Sequence, residues 1–192
     1  AIWHDITEIK QIRDALEEKT AEQNAILENA LVGIAFLKER RFIWINSKME
    51  QMFGYKRDEL SGLTTQILYP SDEDYEQFGK EAYPLLAGGE TYSLERLMKR
   101  KDGSVFWCSL SGKAIAPALL AKGSIWILQD ITAQKEAEEK IRQSEQFVRK
   151  ILDTVDEGFI VIDPNYSILT ANKAYCSQIG GCDKSVIGSH CY

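Results

Sequence analysis

Basic residues are in deficit. Lys and Arg number 23 against 29 Asp and Glu, a net charge of −6. A nucleic-acid binder needs a basic face, so that class is set aside. No apolar run approaches the ~18 residues of a membrane-spanning helix, and no secretory signal is visible. The four cysteines, Cys108, Cys176, Cys182 and Cys191, include no CxxC pair. They read as reduced thiols of a cytoplasmic protein, not as zinc ligands. No GxxxxGK[ST] loop is present to cradle phosphates. Gly88-Gly89-Glu90 begins like the Gly-Gly-Asp/Glu-Glu-Phe word of a cyclase, but Thr91 follows and the match ends. The two histidines are His4 and His190, and no histidine followed by an acid falls on a predicted helix, as a kinase phosphoacceptor would. With no catalytic residue and no metal ligand set, the segment reads as non-enzymatic.

What is present is repetition. Asp5-Ile6-Thr7 recurs as Asp130-Ile131-Thr132, and Gly33 as Gly158, at an offset of 125. After one extra loop residue the offset is 126: Asn46 matches Asn172, Gly54 matches Gly180 and Gly62 matches Gly188. A period of that length is a domain, not a solenoid repeat. The sequence therefore divides into residues 1–7, the end of a preceding unit; 8–28, a helical linker; 29–132, a complete unit; 133–152, a second linker; and 153–192, the N-terminal part of a further unit.

Each Asp-Ile-Thr reads as a strand end joined to a long helix, with Thr132 as the N-cap. In the first linker Ile12, Leu16, Lys19, Gln23, Ile26 and Ala30 recur at alternating spacings of four and three. Ala137, Ile141, Ser144, Val148, Ile151 and Val155 do the same in the second. That is the narrow seam of a two-stranded coiled coil, interrupted by Lys19, Gln23 and Ser144. It predicts a homodimer through the linker helices; the alternative is a single amphipathic helix packed on its own domain.

Within 29–132 the pattern predicts strands Gly33 to Leu37 and Arg41 to Ile45, then a helix from Ser47 to Phe53 closed by Gly54. Single turns follow at Asp58 to Leu60 and Gln66 to Leu68. Ser71 caps a helix from Asp72 to Leu86, whose early acids suit the helix dipole. Three strands close the unit, Thr91 to Lys99, Val105 to Ala116 and Ser124 to Leu128, the first two joined through Asp102-Gly103. This is an α+β layout with helices on one face of an antiparallel sheet.

These words in this order resemble a PAS sensory domain, in tandem. The resemblance is carried by Glu28 to Gly33, Asn46, Phe53-Gly54-Tyr55, Glu59-Leu60, Gly62, Tyr69-Pro70-Ser71-Asp72, Arg100-Lys101-Asp102-Gly103-Ser104 and Asp130-Ile131-Thr132. It implies a five-stranded sheet in order 2-1-5-4-3 with helices around a ligand pocket. It also implies a bacterial signalling protein, a sensor kinase or cyclic-di-GMP enzyme whose output domain lies elsewhere in the protein. A haem-binding member needs an axial His on its long helix, and Asp72 to Leu86 has none. A photoactive flavin member carries an Asn-Cys-Arg-Phe-type word where this chain reads Thr64-Thr65-Gln66-Ile67. Neither cofactor is expected; an unidentified small organic molecule is the candidate ligand.

Strand alternation and this resemblance name the candidate pocket. It comprises Tyr75 and Phe78 from the long helix, and Leu94, Arg96, Met98, Cys108, Leu110, Trp126 and Leu128 from the strands. Arg96 on an apolar face needs a partner. The alternatives are an internal carboxylate from the 72–81 helix, snorkelling to the rim, or a ligand carboxylate or phosphate. Trp126 reads either as a pocket wall or as a filler beneath Gly112. The signal relay is assigned to Asp130, Ile131 and Thr132, with Asp5, Ile6 and Thr7 as their counterparts. The competing functions are thus a ligand-responsive relay and a ligand-free dimerisation spacer.

Overall fold

The computed structural model of the chain describes residues 2–116, 122–180 and 186–191, and for residues 2–8 the backbone alone. It divides into two compact units, one ending at Ala133 and the other beginning at Gln134.

The first unit runs α1 (Ile2–Glu28), β1 (Gly33–Lys38), β2 (Arg41–Ile45), α2 (Ser47–Phe53), α3 (Arg57–Leu60), a 3-10 turn (Thr65–Leu68), α4 (Asp72–Ala87), β3 (Tyr92–Lys99), β4 (Val105–Ala114) and β5 (Ser124–Asp130). The five strands form an antiparallel sheet in the order β2-β1-β5-β4-β3, the order the resemblance implied. Alternation fixes which face is buried. Phe106, Cys108, Leu110 and Ala114 of β4 and Trp126 and Leu128 of β5 are buried, while Val105, Ile125 and Ile127 between them are exposed. The inward face packs on Met49, Met52 and Phe53 of α2 and on Tyr75, Phe78, Ala82 and Leu86 of α4.

Local chemistry sets the boundaries. Asn46 Oδ1 accepts from Met49 N–H at the start of α2, and Gly54 closes that helix at φ 77°. Ser71 Oγ accepts from Asp74 N–H at the start of α4. The β3–β4 hairpin turns at Gly103, φ 85°. Arg100 N–H donates to Ser104 O across the turn, and Asp102 Oδ1 accepts from Ser104 N–H.

Two expectations are corrected. The first helix does not start at Glu8: α1 already includes Ile2 to Thr7. No described strand lies beside this segment, so its backbone groups bond within a helix and not to a sheet. His4-Asp5, a histidine followed by an acid, therefore does fall on a helix. The side chains of Asp5, Ile6 and Thr7 lie outside the described ones. Second, the helix after β5 starts with Thr132 as a helical residue and runs on to Thr154.

The second unit holds most of α5 (Thr132–Thr154), then β6 (Ile160–Ile162), β7 (Ile168–Ala171) and α6 (Lys173–Gln178). β6 and β7 pair antiparallel as a two-stranded sheet. Cys176 is disulfide-bonded, against the reading of all four cysteines as reduced; sequence spacing carried no sign of it. Cys182 lies outside the described residues.

Candidate functional site

A small cavity lies in the core between α4, the 3-10 turn and the sheet. Its walls are Ala35, Leu37, Phe42, Met49, Thr65, Leu68, Tyr69, Phe78, Tyr83, Met98, Leu110, Trp126 and Leu128, and its volume is about 30 Å³. That admits water-sized contents. It is far below the roughly 300 Å³ at which clefts for drug-sized molecules begin. Trp126 is the reason. A Cβ added to Gly112 would lie 2.4 Å from the Trp126 ring, so the indole lies flat on the glycine. Its Nε1–H donates to Ser124 Oγ at 2.9 Å, and its ring centroid is 5.2 Å from that of Phe78.

Of the candidate pocket residues, Phe78, Met98, Leu110, Trp126 and Leu128 come together on this cavity. Tyr75 and Cys108 are buried outside its lining, and Leu94 packs half-buried on the core. Burial pushes the Cys108 thiol up to about 12, which leaves it protonated and not nucleophilic. Arg96 donates through Nη2 to Asp74 Oδ1 at 2.9 Å and to Asp74 O at 3.2 Å. The internal carboxylate from the long helix is therefore present. Its guanidinium also stands over the rings of Tyr69 and Phe78, at 4.8 and 5.5 Å. Sequence reasoning missed the walls supplied by β1, by the 3-10 turn and by Tyr69 and Tyr83. It also missed Arg40 of the β1–β2 turn, which stacks 3.3 Å from the Tyr75 centroid.

The incoming helix is fastened to this core by Asn46, which is fully buried. Its Oδ1 accepts from Ile34 N–H and Met49 N–H; its Nδ2 donates to Leu27 O and Val32 O, all between 2.9 and 3.1 Å. Beside it, Glu28 accepts from Ser47 N–H and from Arg57 Nη2, and Ser47 Oγ donates to Glu28 O. Burial works against the Glu28 carboxylate, but these donors outweigh it and hold its pKa below the usual value.

The second unit repeats this fastening. Asn172 Oδ1 accepts from Phe159 N–H and Tyr175 N–H, and Nδ2 donates to Leu152 O and Glu157 O. Asp153 accepts from Lys173 N–H, where Glu28 accepts from Ser47. Each helix is thus tied at its C-terminal end to the strand and short helix that follow it.

The outgoing helix is fastened by Asp130. Its Oδ2 accepts from Arg100 Nη2 at 2.7 Å, and its Oδ1 accepts from Thr132 N–H at 2.9 Å. The carboxylate of Asp130, not the hydroxyl of Thr132, therefore satisfies a first-turn N–H of α5. Thr132 Oγ1 accepts instead from Trp107 N–H on β4, and Ile131 N–H donates to Trp107 O. Partial burial opposes the Asp130 charge, but the Thr132 and Arg100 donors prevail and lower its pKa. Arg100 also donates through Nη1 to Met52 O and stacks 3.7 Å from the Phe106 centroid. One guanidinium therefore joins the exit junction to α2, the helix whose first turn Asn46 caps.

Among the described residues, no cluster of three His, Cys, Asp or Glu side chains is placed to hold a metal, and no helix is long and apolar enough to cross a membrane. Residues 31–133 match a family model described as PAS domain, and residues 146–190 match a second model of the same description. The sensor protein TdiS of Thauera aromatica is 33% identical over 138 residues, covering 72% of this chain and 25% of that protein. The sensor histidine kinase TmoS of Ectopseudomonas mendocina is 30% identical over 140 residues, covering 72% of this chain and 14% of that protein. The chain thus spans a quarter or less of the length of these relatives. The PAS domain of a LuxR-family transcriptional regulator from Burkholderia thailandensis, crystallised in complex with ethanol, aligns with a TM-score of 0.52. It is 26% identical, over 56% of this chain and 95% of that one.

Proposed function

The chain belongs to the PAS domain family, and on that premise we propose that it is the sensing and transmitting part of a multidomain bacterial sensor. In this reading the state of the 29–132 core sets the geometry of α5. The helices carry that difference to an output domain elsewhere in the protein, a histidine kinase or a cyclic-di-GMP enzyme. The protein acts in the cytoplasm as a homodimer joined along its linker helices. The segment itself is a sensory domain and not a catalyst.

One observation carries the reading: the incoming and outgoing helices are both hydrogen-bonded into the same core. Asn46 holds Leu27 O, Asp130 holds Thr132 N–H, and Arg100 links Asp130 to Met52 at the end of α2. A signal transmitted this way must appear as a population shift between two helix geometries. Asp130→Ala and Thr132→Ala in the full-length sensor are expected to uncouple output from input. The thermal midpoint of the isolated chain is expected to change little. Phosphotransfer or cyclic-di-GMP turnover is the readout for output, and calorimetry for fold. Unchanged signalling in both variants refutes the relay.

A second reading is supported by Trp126. The indole fills the space beneath Gly112, leaving about 30 Å³, which favours a ligand-free dimerisation and spacing module. In that case the two variants leave regulation intact, and only self-association matters to output.

A further inference from the structure

Phe147 is the largest exposed apolar side chain of α5, and the seam does not use it. It is 64% exposed and stands beside Val148, off the line of Ala137, Ile141, Ser144, Val148 and Ile151. Written as heptads, that line places Ile141 and Val148 at a, and Ala137, Ser144 and Ile151 at d. The flanking positions are then Lys140 and Phe147 at g, and Glu138, Glu145 and Leu152 at e. β-branched residues at a suit a parallel two-stranded pairing, in which g of one helix lies beside the following e of its partner. Lys140 then meets Glu145 of a second copy, and Phe147 meets Leu152 of a second copy.

The charges fit this orientation. Within α5, Glu139 pairs with Arg142 and Glu138 accepts from Gln134. Lys140 and Glu145 pair with no described residue. An antiparallel pairing sets e against e, so it brings acids together and loses the attraction of Lys140 for Glu145.

Leu152 also lines a groove of about 660 Å³ between α5 and the strand and helix that follow it. Val148, Leu169 and Ile187 line it too, and so does Asn172, which anchors the end of α5. Leu169 and Ile187 are 56% and 48% exposed. This combination is not common to the repeat. At the offsets of 125 and 126, Glu22 stands where Phe147 does, Gln23 where Val148 does and Ser61 where Ile187 does. Exposed apolar surface gathered in one place marks a contact surface, and an aromatic side chain seated in a pocket is the usual anchor of an interface.

We propose that α5 pairs in parallel with α5 of a second copy, and that Phe147 of each copy seats in the other's groove against Leu152, Leu169 and Ile187, with Lys140–Glu145 pairs at its rim. Two-fold symmetry makes the two contacts equivalent. Each groove is incomplete without the aromatic side chain of the other copy. This inference rests on the homodimer proposed above and names the contact that fixes its register.

The test uses the whole 192-residue chain. In a sample mixed from ¹³C-labelled and unlabelled copies, intermolecular NOEs are expected from the Phe147 ring to the Leu169 and Ile187 methyl groups. In sedimentation equilibrium, Phe147→Ala is expected to weaken dimerisation at least tenfold, and Leu169→Glu to do the same from the groove side. Both side chains are exposed within one copy, so both variants are expected to keep a native-like circular dichroism spectrum. Lys140→Glu and Glu145→Lys are each expected to weaken the dimer, and the two together to restore it. A double variant no tighter than either single one overturns the parallel register. A dimer whose dissociation constant is unchanged in Phe147→Ala, or that gives no NOE between Phe147 and the groove, overturns the docking and leaves the homodimer standing. A chain monomeric at every concentration overturns both.

Discussion

Asn46 uses every hydrogen-bonding position its amide has. Two backbone N–H groups and two carbonyls, from four different places in the chain, converge on one side chain that is closed to solvent. Removing the amide leaves those groups to find water they cannot reach, at about 1–3 kcal/mol for each one left unpaired. Partial relaxation recovers some of this, so Asn46→Ala is expected to destabilise the first unit by about 3 kcal/mol. Ser93→Ala, which removes an exposed Ser93–Ser111 bond, should stay within about 0.5 kcal/mol. Urea denaturation of both variants, read as a change in midpoint at constant slope, checks the contrast. Comparable losses in the two would show that the amide is no more than a surface contact. Its counterpart Asn172 binds the same pattern of groups. Anchoring the preceding helix is therefore a property of the repeat and not of one position.

At the scale of elements, α1 and α5 each carry an apolar seam that their own unit leaves uncovered. Ile12, Leu16 and Ile26 are 63%, 63% and 66% exposed; Ile141, Val148 and Ile151 are 61%, 52% and 48% exposed. A second copy of the same helix covers such a seam by knobs-into-holes packing. The seam of α5 is broken only by Ser144, whereas α1 has Lys19 and Gln23 in line. The stronger association should therefore lie along α5. Ile141→Glu with Val148→Glu is expected to weaken dimerisation at least tenfold. Ser144→Leu should tighten it, and Leu16→Glu should have the smaller effect. Sedimentation equilibrium decides; a chain that stays monomeric in every variant removes the helical dimer. Both seams were visible in the sequence because heptad spacing is local. The start of α1 was not, because the same three residues stand inside a helix at Asp5-Ile6-Thr7 and at a strand end at Asp130-Ile131-Thr132. Asp130 displaces Thr132 as the group serving the first turn of α5 for a related reason. The Trp107 N–H on β4 takes the threonine hydroxyl, a contact 25 residues away in sequence.

For the whole molecule, the sheet of the first unit was legible because its alternation is strict and its hairpin has the Asp-Gly word. The sheet order came from the resemblance to a family. The cavity was legible at Phe78 of α4 and on β3, β4 and β5, but not on β1. Leu68, Tyr69 and Tyr83 enter from a 3-10 turn and a helix, where no period of two points inward. Arg40 sits at a left-handed turn position with no glycine or asparagine to announce it. The same comparison separates the two units physically. The first closes five strands over a buried cluster of aromatic and aliphatic side chains. Among its described residues the second has one two-stranded sheet, β6 with β7, and Phe159, Val161, Ile162 and Leu169 remain 40% exposed or more. A two-stranded sheet is marginal in water by itself, and local opening costs least where few apolar contacts are buried. Native-state hydrogen exchange of the 192-residue chain should therefore show two levels of protection. Amides in β4 and β5 should exchange only by global unfolding, with protection that falls as urea lowers the stability of the first unit. Amides in β6 and β7 should exchange at least a hundredfold faster and be nearly insensitive to low urea. Asn46→Ala should lower protection in β1 and leave β6 and β7 unchanged. Protection of β6 and β7 equal to that of β4 and β5, and falling with it in Asn46→Ala, would mean that the two units fold as one.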